Sequence, residues 1–270
     1  MIFVLKNADF SANNIGTIPL DIEVHEETEL IAARFAGMTD NTKSHLNIFV
    51  DRLIKAGIYS KLKHLMLPLV AGNVADALQN VLTAEKEVIA DTGYAAISSK
   101  GITFTDTGFL SLNPAIQSSQ ANFSYRCAVV NVATPTASTS ERIVTLSSES
   151  SATLQFLRGY VDVSGSGTTT LHMKAANEKG ADSLFVDGAV IHSINNGVLS
   201  YLSSASETGS YTLANPASVT ALKLSGANNT DFHQYLHSYA IRLLFIADNL
   251  SSAQIVAMYN AMQEFIAAEV

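Results

Sequence analysis

Two hydrophobic periods run along this chain, and the change from one to the other falls near residue 100. Before it, Leu46, Phe49, Val50, Leu53 and Ile54 recur at i, i+3, i+4, i+7 and i+8, which is one helix face and predicts a helix over 44–56. Gly57 follows where a left-handed residue commonly closes a helix. Residues 62–70 are apolar up to Pro68 and predict a strand, and Val74, Ala77, Leu78 and Val81 predict a second helix over 73–82. This part is α/β in character. The segment 1–30 lacks either period: Asn13-Asn14-Ile15-Gly16 signals a turn, Pro19 interrupts regular structure, and four acids crowd positions 23–29. It reads as an extended arm.

From residue 100 the period is two. Ile102-Thr103-Phe104-Thr105 alternates, and Phe123, Tyr125, Cys127 and Val129 share one strand face with Ser124 and Arg126 on the other. Residues 141–147, 152–163, 168–175, 183–192, 219–224 and 234–246 predict further strands, with Gly165-Ser166-Gly167 separating two of them. Asp187-Gly188 between two apolar triplets carries the two-residue hairpin signal, and Asn195-Asn196-Gly197 repeats that turn chemistry. Many short strands joined by turns predict a sandwich or barrel rather than a parallel sheet. The chain closes on an amphipathic helix: Ser251 and Gln254 form a capping-box pair, and Ile255, Met258, Tyr259, Met262, Phe265 and Ile266 make its stripe. The fold class expected is therefore mainly β, an antiparallel sandwich (98–270) with a C-terminal helix, behind an arm (1–30) and a small α/β module (31–97).

Composition narrows the classes. With 16 Lys+Arg against 24 Asp+Glu the net charge is −8, which argues against a nucleic-acid binder. Charge is concentrated early: positions 1–95 hold 8 basic and 12 acidic side chains, and positions 96–270, a stretch nearly twice as long, hold the same 8 and 12. The later part is wetted by Ser, Thr and Asn instead, and 47% apolar content with so few charges suggests surface covered by neighbouring subunits. A single cysteine excludes an intramolecular disulfide. Mean hydropathy is +0.20, yet no stretch approaches the roughly 18–20 apolar residues of a spanning helix. The order Met1-Ile2-Phe3-Val4-Leu5-Lys6 is the reverse of a secretory signal, so synthesis in the cytoplasm without membrane insertion is expected.

Ser183-Leu184-Phe185-Val186-Asp187-Gly188 resembles the hairpin of concanavalin A-like, laminin-G-like jelly rolls. Tyr239-Ala240-Ile241-Arg242-Leu243-Leu244-Phe245, followed by Asn249-Leu250-Ser251-Ser252-Ala253-Gln254-Ile255 and Tyr259, resembles that family's last strand and closing helix, with Gln254 where Glu is usual. Upstream, Ala56-Gly57-Ile58-Tyr59-Ser60-Lys61-Leu62, Asp76-Ala77-Leu78-Gln79-Asn80-Val81, Asp106-Thr107-Gly108-Phe109 and Asn113-Pro114 are similar to phage and prophage structural proteins. Tyr59 stands where tryptophan is more usual. This resemblance implies a non-enzymatic virion protein, a tail or head fibre or other surface appendage. It implies other virion proteins as partners, a homo-oligomer with a trimer favoured, and a host-surface glycan as a ligand; the alternatives are a carbohydrate-binding lectin-like protein outside a virion and, after it, a glycan-degrading enzyme.

The residues themselves offer little catalytic chemistry. A glycanase needs two facing carboxylates, and the Glu-x-Asp-x-x-Glu spacing is missing between residues 100 and 250, where Glu141, Glu149 and Asp162 stand apart. Glu23-Val24-His25-Glu26-Glu27 lacks the second histidine of a zinc helix and reads as a solvated acidic stretch. Ser164-Gly165-Ser166-Gly167 does not have the order of a nucleophile elbow. No catalytic residue and no cofactor is expected, and the sequence leaves a metal open. The candidate binding face is Asp231, His233, Tyr235, His237 and Tyr239, which share one side if that segment is extended. Rings there would stack on sugar C–H surfaces and the carboxylate would fix hydroxyls, or Asn228-Asn229 carbonyls would help hold a cation. The same residues are also ordinary at an interface or strand edge.

Overall fold

Thr39 begins the long helix that the sequence predicts: its hydroxyl accepts the Thr42 amide at 3.1 Å, and helix α2 runs Asp40–Lys55. Asp40 in the first turn and Arg52 and Lys55 in the last match the helix dipole. Gly57 takes φ +64, and the amides of Gly57 and Ile58 fold back onto the Ile54 and Leu53 carbonyls at 2.9 and 2.8 Å, closing the helix as a Schellman motif. This computed structural model describes residues 24–83, 88–90, 95–104, 110–112, 123–131, 141–147, 155–163, 169–175, 178–184, 191–195, 198–202, 208–212, 221–224 and 239–270.

Helix α1 (Glu26–Ala32) occupies the end of the segment read as an extended arm. Asn47 on α2 explains the difference, because its buried side-chain oxygen accepts the His25 amide and the Thr28 hydroxyl, both at 2.9 Å, and anchors the first turn of α1. The joint is completed by Asp51, which accepts His25 Nε2 at 3.0 Å and Lys55 Nζ at 2.7 Å. Burial pushes the Asp51 carboxyl up, but the hydrogen bonds and charges of Lys55 and His25 outweigh it and hold the group below its usual value.

Strand β1 (Leu62–Met66) stops before Pro68, which opens a 3₁₀ turn, and the helix expected over 73–82 is the single turn α3 (Val74–Ala77). Asn80 cuts that helix short. Its buried amide oxygen accepts Leu65 N at 3.1 Å and Leu82 N at 3.2 Å, and its amide nitrogen donates to Lys63 O at 3.0 Å. The side chain thus serves as a pairing partner for the outer edge of β1, where a helix would have left those groups without one.

The remaining strands are β2 (Val88–Ala90), β3 (Ala95–Ser98), β4 (Gly101–Phe104), β5 (Leu110–Leu112), β6 (Phe123–Asn131), β7 (Glu141–Ser147), β8 (Gln155–Val163), β9 (Thr169–Ala175), β10 (Glu178–Leu184), β11 (Ile191–Asn195), β12 (Val198–Leu202), β13 (Thr208–Thr212), β14 (Ala221–Leu224) and β15 (Tyr239–Asp248). Among the described residues they form two antiparallel sheets. One has the order β13-β12-β11-β6-β15-β4-β3 with β1 also on β15, and the other has the order β10-β9-β8-β7-β14-β5-β2. Asn195 pairs with Val198, so β11 and β12 meet as the Asn-Gly signal predicts. The hairpin expected at Asp187-Gly188 lies outside the described residues; β10 and β11, which flank it, belong to different sheets. β10 pairs with β9, and β11 pairs with β6 and β12.

The core gathers around β15. One of its edges pairs with β6 throughout; the other pairs with β4 at Ala240 and Ile241 and with β1 from Leu244 to Ala247. Arg242 is the extra residue of a β-bulge between Ile241 and Leu243. Gly101 lies against that bulge with φ +118, and a Cβ there would stand 2.2 Å from the Ile241 carbonyl oxygen. The closing helix α4 (Ser252–Ala268) starts with the expected capping box and packs on α2, where the Phe49 and Phe265 rings stack 5.1 Å apart. Gln254 does more than cap: its amide nitrogen donates to Ala56 O at 3.1 Å and Gly57 O at 3.0 Å, while its oxygen accepts Ser251 N at 3.1 Å and Lys61 Nζ at 2.8 Å. A glutamate, usual at this place in the family that the sequence resembles, has no donors for those two carbonyls.

Three outcomes follow for stability. Gly101→Ala should lower the unfolding free energy by at least about 2 kcal/mol in chemical denaturation, since neither φ nor the space admits a Cβ. Gln254→Glu should lose about 1–3 kcal/mol by leaving the carbonyls at the end of α2 without their donor. For Asp51, a depressed folded-state value means stabilisation that is present at neutral pH and lost as pH falls through that value. The stability gap between wild type and Asp51→Asn should therefore close on acidification below the usual carboxylate range. A gap constant with pH would contradict this.

Candidate functional site

Of the candidate binding face, Asp231, His233, Tyr235 and His237 lie outside the described residues, and Tyr239 is placed as the first residue of β15, paired with Asn131. The strand expected from residue 234 is thus described from Tyr239 onward. His25, part of the acidic stretch weighed as metal ligands, has its ring on Asp51 instead. Among the described residues no group of three or more His, Cys, Asp or Glu side chains converges on a common point. No helix among them is long and apolar enough to cross a membrane.

One concave feature of the described residues has no counterpart among the sequence expectations. It is a groove of about 270 Å³ between α2 and α4. Ile48 and Phe49 from α2 and Ala261, Phe265 and Ala268 from α4 make its floor. Phe49, Ala261 and Phe265 belong to the buried faces of α2 and α4, and the more exposed Ile48 and Ala268 extend that apolar seam outward. At one end His45 Nδ1 donates to Glu269 Oε1 at 2.6 Å, and the other oxygen of Glu269 accepts the Thr42 hydroxyl at 3.0 Å. These side chains are only 13% and 11% exposed for His45 and Glu269, so the pair holds α4 to α2 largely out of water. Further along, the Arg52 guanidinium meets both oxygens of Glu264 on the opposite rim.

Chemically, the groove offers apolar surface between two bridged pairs. Each basic side chain in it already faces a carboxylate, and its lining presents no hydroxyl or thiol nucleophile. Outside the groove lining, burial pushes the Tyr59 hydroxyl above its usual value; the charge of Glu27 adds to this and that of Arg34 opposes it. The signal that would have revealed the groove is the pairing of α2 with α4, two helices far apart in sequence; Arg52 and Glu264 are separated by 212 positions.

No protein-family model and no curated protein matches the sequence. Solved structures do resemble the fold. A mutant of Trypanosoma rangeli sialidase displaying trans-sialidase activity superposes with a TM-score of 0.58 at 10% identity, over 83% of this chain and 39% of that one. Trypanosoma rangeli sialidase in complex with sialic acid gives a TM-score of 0.56 at 9% identity, over 76% of this chain and 34% of that one. The chain thus spans well under half the length of the sialidase chains it matches. The expectation of a non-enzymatic protein is corrected by these matches: the fold occurs within enzymes, and missing Glu-x-Asp-x-x-Glu spacing excludes one arrangement of carboxylates rather than catalysis. At this identity the likeness is one of fold, and the coarse class expected from sequence, an antiparallel β-sandwich with a C-terminal helix, is what it supports.

Proposed function

We propose that this chain is a lectin-like β-sandwich of the concanavalin A-like, laminin-G-like kind that binds carbohydrate. The observation that carries the reading is the two-sheet antiparallel fold closed by β15 and the capped helix α4, which resembles that of sialidases, one of them in complex with sialic acid. The ligand face we assign is Asp231, His233, Tyr235, His237 and Tyr239, where two aromatic rings supply stacking surface and Asp231 accepts from sugar hydroxyls. Such a face needs no cofactor.

A second reading, a glycan-degrading protein, is favoured by the same sialidase likeness. Its carboxylates would come from separate strands, since the Glu-x-Asp-x-x-Glu spacing is missing between residues 100 and 250. The setting on a virion, with other virion proteins as partners and a host-surface glycan as ligand, rests on the phage-like stretches between Ala56 and Pro114 alone.

Binding to a glycan array, sialylated glycans included, tests the first reading. Tyr235→Ala and His237→Ala should each weaken binding about tenfold, equivalent to about 1.4 kcal/mol, without a change in melting temperature. Binding untouched by both substitutions removes this face. Release of free sugar from the bound glycans would instead favour the second reading.

A further inference from the structure

We propose that one face of the sheet β10-β9-β8-β7-β14 binds an acidic polysaccharide laid across its strands. Strand register brings the residues together. Lys223 of β14 pairs with Thr145 of β7, Thr145 with Arg158 of β8, Arg158 with Lys174 of β9, and Lys174 with Lys179 of β10. Partners in register share a face, so these positions form one row across five neighbouring strands, about 19 Å long at the usual strand spacing. Four of the five are basic. The next row of the same face is Arg142, Tyr160, His172 and Asp182, again in register. Rows of the opposite face are apolar: Leu222, Leu146 and Leu157 pair in one, and Val161 with Leu171 in another.

Residues 96–270 hold eight basic side chains, and five of them belong to this face. Such concentration is costly. Arg158 stands opposite Lys174 and Lys174 opposite Lys179, and like charges directly opposite destabilise a sheet. A chain of net charge −8 has no need of clustered cations for solubility. A ligand carrying spaced carboxylates or sulfates offsets the repulsion, because an anion set among the cations attracts each of them. The second row selects among polyanions. It contains Asp182, and Asp162, two positions beyond Tyr160 and paired with Thr170, adds another carboxylate to the face. Carboxylates repel a phosphodiester backbone yet accept sugar hydroxyls, and a tyrosine supplies a ring on which a sugar stacks. Tyr239, in the sugar face proposed above, opens β15 in the other sheet. The cationic row is therefore a second ligand site that does not depend on the first.

Surface plasmon resonance on immobilised polygalacturonate, dextran sulfate and neutral dextran tests this with the full chain. It should bind an acidic polymer and not the neutral one, with an affinity that falls as salt is raised. Arg158→Gln and Lys174→Gln should each weaken that binding about threefold, and the two together about tenfold. Lys100→Gln removes the same charge at the β3–β4 turn of the other sheet and should leave binding unchanged, as should Tyr235→Ala. Lys174→Gln should also raise the melting temperature of the free chain, since it removes both opposed like-charge pairs, which separates loss of binding from loss of fold. No binding to either acidic polymer at low salt overturns the proposal, and so does an equal loss with Lys100→Gln and Lys174→Gln. Tighter binding of single-stranded oligothymidylate than of both acidic polymers overturns it in favour of a nucleic-acid ligand.

Discussion

Strand β15 has both edges hydrogen-bonded and both faces covered, and the placement of the other elements is a consequence. Residues alternate sides along a strand, yet Ile241, Leu243, Leu244, Phe245 and Ile246 are all between 0 and 2% exposed. Five large apolar side chains buried to that degree are worth on the order of 10 kcal/mol, about the net stability of a typical domain. A strand buried on one face only would show alternating exposure. The helices therefore form a necessary cover for the sheet: α2, α4 and the turn after β1 join one continuous core with β15. The helical segment ahead of the sandwich and the end of the chain from Tyr239 onward are one packing unit.

Polar groups buried by that cover are satisfied mainly by amides. Asn47 anchors α1, Gln79 donates to the Arg34 carbonyl at 2.8 Å, Asn80 completes the outer edge of β1, and Gln254 joins the start of α4 to the end of α2. An amide donates and accepts at once without carrying charge, so it enters a low-dielectric interior at less expense than a carboxylate would. This accounts for Gln254 at a position where the resembling family favours glutamate: in this chain the residue must donate to two carbonyls as well as accept.

Local features were legible in the sequence. Helix α2 followed from five apolar residues at helical spacing and from Gly57, and the cap of α4 from Ser251 and Gln254. The β11–β12 turn followed from its Asn-Gly pair. What escaped reading depends on partners far away. Asp187-Gly188 has hairpin chemistry, but nothing local says that the strands on either side pair in different sheets. Asn80 reads as a helical residue until β1 is placed beside it, and β1 itself finds its partner, β15, only near the end of the chain. The groove is a still stronger case, because each of its rims is an ordinary solvated helix position until α2 and α4 are brought together. Of the ligand face, only its alternation was legible, and only Tyr239 has a place in a described strand.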